Sequence, residues 1–165
     1  MLYRLSSWSA LIFSLFLLSG CQPGNVKPAG DTSSGGNAIE LRDKAYQAYN
    51  EDKWAEAEQA LVALTRQIPQ EPDPWFRLGN VYARQDEPRR AVAAYQEALV
   101  RQPENGKAWH NMGIVQLRQA MHSFSQLQSA TDPGDDLHER ASLLIKAVSR
   151  VLENDFDAGG DTPVR

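Results

Sequence analysis

The sequence predicts an all-α fold, a short stack of three antiparallel helix pairs. Three observations predict it. From residue 38 onward, apolar side chains recur at three- and four-residue spacing, the period of a helix with one buried face. The same arrangement returns after 34 residues, which marks a repeat architecture rather than one closed core. Breakers fall between the periodic stretches, at Pro69, at Pro103 and at Thr131-Asp132-Pro133-Gly134-Asp135.

The clearest unit runs from Pro72 to Asn105 and carries Trp75, Leu78, Gly79 and Tyr82, then Ala91, Tyr95 and Ala98, then Pro103. Trp75, Leu78 and Tyr82 share one helix face, and Tyr95 and Ala98 extend the facing stripe on a second helix. Gly79 and Ala91 are small where two helices of a pair cross closely. Pro103 ends the second helix because it lacks an N–H and clashes with the preceding turn. Asp73-Pro74 reads as N-cap plus first-turn proline of the first helix, and Pro88 as first-turn proline of the second. This spacing, W-x₂-L-G-x₂-Y…A-x₃-Y-x₂-A…P, resembles the tetratricopeptide repeat (TPR).

One unit earlier, from Ala38 to Glu71, Leu41, Ala45, Ala48, Trp54, Ala57, Leu61, Leu64 and Pro69 fall at equivalent places. Lys44 replaces a usual leucine, as an end repeat facing water allows. One unit later, Trp109, Met112, Gly113 and Gln116 match the first helix. The second helix is then late. The helical pattern continues through Leu117, Ala120, Met121, Phe124 and Leu127, giving a helix of roughly 36 Å. A last helix starts at Asp136, where Asp136-x-x-Glu139 resembles a capping box. Its Ala141, Ile145 and Val148 have the second-helix spacing of the family, so it is expected to complete the third pair and cap the stack. The units are therefore 38–71, 72–105 and 106–153, followed by a polar tail over 154–165 expected to be disordered.

The N-terminus reads differently. Arg4 precedes the apolar run Trp8–Leu18, which is too short to span a bilayer, a job for about 20 residues. A charged start, a short apolar stretch and small residues at its end form a secretory signal, here residues 1–20. Leu18-Ser19-Gly20-Cys21 resembles the bacterial lipobox. That resemblance implies cleavage before Cys21 and a covalent lipid on its thiol, the one prosthetic group expected; no other cofactor is. Two or more acyl chains anchor stably, at about 0.8 kcal/mol per buried CH₂. Gln22 after the cysteine favours the outer membrane, facing the periplasm. Residues 21–37 then form the lipidated end and a Pro-, Gly- and Ser-rich linker, with a root-mean-square span of roughly 20–25 Å.

Composition limits the function. The net charge is −4, against a nucleic-acid partner, which calls for a basic stripe. A single cysteine excludes an intramolecular disulfide and a Cys-based zinc site. His110, His122 and His138 lie at no metal-ligand spacing, and no HExxH, GxSxG or Gly-rich phosphate loop occurs. No metal site and no catalytic residue are expected. Asp132, Asp135 and Asp136 read as solvated loop charges.

The TPR resemblance implies a partner held in the concave groove of the first helices. Its contact positions fall on Arg42, Tyr46, Tyr49 and Asn50, on Phe76, Arg77, Asn80 and Arg84, and on His110, Asn111, Ile114 and Arg118. The set contains four arginines and no carboxylate in an acidic chain, which suits an acidic or C-terminal peptide. Asn80 and Asn111 fall at two positions of the family's carboxylate clamp, but Phe76 stands where its basic residue belongs, so the clamp is incomplete. Trp54, Trp75 and Trp109 are expected to pack between helices. The resemblance implies a non-enzymatic envelope scaffold for a pilus, secretion or exopolysaccharide system. The alternative is an adaptor delivering substrates to a periplasmic protease or peptidoglycan hydrolase. Pairing into a homodimer through an end repeat is a further expectation.

Overall fold

The structure is a computed structural model that describes the backbone of residues 32–157 and the side chains of residues 37–153. The signal segment 1–20, Cys21, most of the linker and the end of the tail lie outside the described residues. Six helices follow in order: α1 (Thr32–Asn50), α2 (Trp54–Gln67), α3 (Pro72–Arg84), α4 (Pro88–Arg101), α5 (Gly106–Ser129) and α6 (Asp136–Asp157). No strand occurs among the described residues. The helices pack as three pairs, α1–α2, α3–α4 and α5–α6, and successive pairs stack through α2–α3 and α4–α5. The all-α repeat fold expected from the sequence is the fold observed.

The turn inside each of the first two pairs has one design. Asp52 (φ 57°) and Asp86 (φ 58°) hold the left-handed conformation at equivalent places. The N–H of the next residue reaches back to close the helix, Lys53 to the Ala48 carbonyl at 2.9 Å and Glu87 to the Tyr82 carbonyl at 2.8 Å. This is the Schellman arrangement, and aspartate is among the few non-glycine residues that visit that region readily. The equivalent position in the third unit is Ala120, the best helix former. Nothing turns the chain there, so α5 runs on for 24 residues, against 13 in α3, and is longer by about 16 Å. Gly134 (φ 102°) supplies the left-handed residue of the later turn.

That extension shifts the last helix. Gln128 Nε2 donates to Ser142 Oγ at 2.7 Å, Ser149 Oγ lies 3.6 Å from Met121 Sδ, and His138 Nδ1 is 3.1 Å from the Thr131 carbonyl. α6 is thus seated on the far half of α5. In the second pair a Cβ on Gly79 would meet the Tyr95 ring at 2.5 Å; a Cβ on Gly113 would meet no described atom within 4 Å. The Ala141–Ile145–Val148 stripe does not cross at Gly113 as its spacing suggested. Trp109 is correspondingly 54% exposed. Its Nε1 donates to the Pro103 carbonyl, as Trp75 Nε1 does to that of Pro69, but only Trp75 is roofed by a cation, Arg101 at 4.8 Å. The outer flank of α6 leaves Leu137, Leu144 and Val151 exposed at seven-residue intervals.

Several local readings change. α1 starts at Thr32, inside the stretch read as linker, because no proline stands between Pro28 and Pro69 to stop it. α6 runs on to Asp157, past the expected boundary at 153. The N-cap of α3 is Glu71, which frees Asp73 from capping. Asp135, not Asp136, takes a free N–H at the start of α6, accepting from Leu137 N at 2.7 Å. The core is continuous through the first two pairs and into α5, with Leu61, Leu64, Val81 and Tyr95 fully enclosed.

Candidate functional site

The first helices of the pairs, α1, α3 and α5, are tied together by a buried polar ladder. Tyr95 donates its hydroxyl to Asn80 Oδ1 at 2.8 Å, Asn111 Nδ2 donates to the same oxygen at 2.9 Å, and Asn80 Nδ2 donates to the Tyr49 hydroxyl at 2.8 Å. Asn80 and Asn111 are 4% and 3% exposed. A buried amide left unpaired costs about 1–3 kcal/mol, and this one is satisfied on both its donor and its acceptor side. The ladder therefore fixes the register of α1, α3, α4 and α5. Burial pushes the Tyr95 phenol well above the usual tyrosine range, with the nearby Tyr49 adding to the effect. Asn80 and Asn111 are consequently not ligand-facing. They bind each other and the core, and Ile114, 7% exposed, is core as well. The clamp-like pair read from the sequence is a structural ladder.

Above the ladder, at the α1–α3 seam, four of the expected residues come together. The Arg77 guanidinium lies over the Tyr46 ring at 4.2 Å and near the Tyr49 ring at 5.2 Å. Such cation–π contacts are worth roughly 0.5–2 kcal/mol and orient the guanidinium by its face. Arg42 joins from α1; its Nε is buried and has no hydrogen-bond partner. Tyr49 meets Trp54 edge to face at 5.7 Å, and Arg84 sits over Trp54 at 5.6 Å, which extends the cation–aromatic surface along α3.

One residue of the site was missed. Asp73 Oδ2 accepts from Arg77 Nε at 2.8 Å and also from the Tyr46 hydroxyl. The sequence reading assigned Asp73 to capping and counted no carboxylate on this face. Its position four residues before Arg77 on α3 was the available signal, because that spacing pairs side chains on a helix surface. Tyr46 is pushed up to about 12, first by burial and then by its bond to the Asp73 carboxylate. Burial works against the Arg77 cation, but the Asp73 bond and charge outweigh it and raise the group further.

The remaining expected residues are dispersed. Phe76 is half-buried, its ring 6.1 Å from that of Tyr95. Asn50 and His110 are exposed on α1 and α5. Arg118 lines a separate cleft of about 620 Å³ between the α3–α4 turn and α5, together with Arg89, His122, Asp86 and Glu87. No group of three or more His, Cys, Asp or Glu able to hold a metal occurs among the described residues.

Comparison with known proteins agrees with this architecture. A family model described as tetratricopeptide repeat matches residues 72–115, the second helix pair and the start of α5. The chain is also similar to the general transcriptional corepressor ssn6 of Schizosaccharomyces pombe, 33% identical over 60 residues, which is 35% of this chain and 5% of that protein. The chain thus spans a small fraction of that relative's length, and the likeness reaches no further than the matched segment. With the family spacing, the paired helices and the Gly79–Tyr95 crossing all in place, residues 72–115 carry a tetratricopeptide repeat within an all-helical stack of like pairs.

Proposed function

We propose that this protein is a lipid-anchored envelope scaffold whose α1–α3 face holds an acidic segment of a protein partner. The observation that carries the reading is the cation–aromatic surface of Arg77 over Tyr46 and Tyr49 and of Arg84 over Trp54, with the Arg42 charge acting on Tyr46 beside them. Arginine and aromatic residues carry most binding energy at protein interfaces, and here stacking already orders the arginines before a partner arrives. The repeat fold supports a binding role over chemistry, since the family generally serves protein–protein interaction.

The anchor rests on the sequence. Leu18-Ser19-Gly20-Cys21 supplies the lipidation pattern, and Gln22 favours the outer membrane, facing the periplasm. Among the described residues no helix is long and apolar enough to cross a membrane. Two copies would pair through the exposed flank of the first repeat or through the long α5.

Affinity capture after crosslinking in intact cells tests the proposal. The wild type and an Arg42→Ala/Arg77→Ala/Arg84→Ala variant, checked for helix content, are compared. Loss of the captured partner in the folded variant supports the reading, and retention removes this face from it. Capture of structural subunits marks a scaffold. Capture of a protease or hydrolase with its clients marks the alternative adaptor role. Radiolabelled palmitate incorporation that is unchanged by Cys21→Ser would remove the anchor.

A further inference from the structure

We propose that Asp73 is a resident carboxylate that occupies the Arg77–Tyr46 seat until a carboxylate of the partner replaces it, so that Asp73 sets the affinity and selectivity of this face for anionic peptides. The proposal rests on the binding face described above and deepens it.

Four observations carry it. Asp73 uses one oxygen, Oδ2, to accept from both Arg77 Nε and the Tyr46 hydroxyl, which is how an incoming carboxylate would be received there. The layers are ordered for exchange: the Asp73 side chain is 48% exposed and the Arg77 side chain beneath it 27%. Arg77 has contacts besides Asp73 to hold it, being stacked on Tyr46 and Tyr49. Beside them Arg42 keeps a buried Nε–H without an acceptor. An unmet buried donor on a cation is costly, and Asp73 does not meet it. A second carboxylate at this seam would meet Arg77 and add to the field of Arg42, whose charge already acts on Tyr46.

The exchange is nearly balanced. Arg77 trades one carboxylate for another. The displaced Asp73 swings toward solvent from the first turn of α3, where the positive end of the helix dipole still favours its charge. A neutral peptide offers no replacement anion and leaves Asp73 seated. Asp73 thus acts as a threshold that admits anionic ligands and refuses neutral ones. Removing its charge lowers the threshold.

Fluorescence anisotropy of detergent-solubilised full-length protein with labelled hexaglutamate, and with labelled hexaserine as a neutral control, tests this at low ionic strength. Asp73→Asn preserves shape and removes the charge. It should tighten hexaglutamate binding roughly tenfold, the scale of one charge-assisted hydrogen bond no longer competing. Adding Arg77→Gln to Asp73→Asn should abolish the gain. Asp73→Ser serves as a second variant, and melting curves establish that both are folded. If Asp73→Asn binds equally or more weakly while wild-type binding still depends on Arg77, the resident-carboxylate idea is overturned and the binding face stands. If neither wild type nor variant binds hexaglutamate, the idea is overturned and an anionic partner is lost with it. The capture experiment then decides whether the face binds protein at all. Hexaserine bound as well as hexaglutamate overturns the threshold outright.

Discussion

Adding one methyl group at each of two sequence-equivalent glycines should produce effects of opposite sign. At Gly79, Ala would place its Cβ 2.5 Å from Cδ1 and Cε1 of Tyr95 and 3.0 Å from Cγ. The ring cannot retreat freely: Tyr95 is 0% exposed and its hydroxyl is held by Asn80. Overpacking a closed core costs about 1–3 kcal/mol. Weakening the Tyr95–Asn80 bond adds about 1 kcal/mol. The better helix propensity of alanine returns about 1 kcal/mol. The net expectation for Gly79→Ala is a loss of about 1–3 kcal/mol. At Gly113 a Cβ meets no described atom within 4 Å, so only the propensity term remains. Gly113→Ala should gain up to about 1 kcal/mol. Urea unfolding followed by circular dichroism measures both, and a loss of 1 kcal/mol should lower the thermal midpoint by about 4 °C. A Gly79→Ala protein as stable as wild type, or equal losses at both sites, would refute the claim that only the second pair crosses closely at its glycine.

Further outcomes follow from the same geometry. Asn80→Ala strips partners from Tyr49, Tyr95 and Asn111 together, and should lower unfolding stability in urea by about 2–4 kcal/mol. At Asp86, with φ 58°, Gly should be neutral or stabilising, whereas Val should cost roughly 1–2 kcal/mol, as a β-branched residue forced into the left-handed region, read by thermal melts. Tyr46 is raised to about 12 from an ordinary 10.0, so between these values the unfolded chain releases a proton that the folded chain retains. Stability from this group is complete below about pH 10 and is lost as pH rises towards 12. Melts across that range should decline less steeply in Tyr46→Phe, with a residual slope from Tyr95, whose phenol is also raised.

Much of the fold was legible because the repeat writes itself in small and aromatic residues. Gly79 needed a ring above it, and Tyr95 supplies one. What escaped was geometry set by a missing signal. The long α5 was legible in the apolar pattern running on to Leu127; what the pattern did not show is that Ala120, standing where Asp52 and Asp86 turn the chain, also slides α6 away from Gly113. The family spacing of Ala141, Ile145 and Val148 concealed the slide. At the candidate site, residue type pointed to arginines and tyrosines on all three first helices; the structure gathers Arg77 with Tyr46 and Tyr49 at the α1–α3 seam and leaves Arg118 in a separate cleft. Residue type could not separate Asn80 and Asn111 from these residues, because an asparagine at a contact position looks the same whether it faces solvent or another asparagine. Asp73 was hidden by its place at a helix start, where an aspartate ordinarily explains itself as a cap.

The central claim, that the α1–α3 face holds the partner, is tested most directly by site-specific photocrosslinking in intact cells. p-Benzoylphenylalanine is placed at position 42, beside Tyr46 and Arg77, or at position 100 on α4, where Val100 is 77% exposed. The account predicts a discrete crosslinked protein from position 42 that disappears with Arg77→Gln, and none from position 100. A partner captured from position 100 and not from position 42 would contradict it and move the binding surface to the second helices of the pairs.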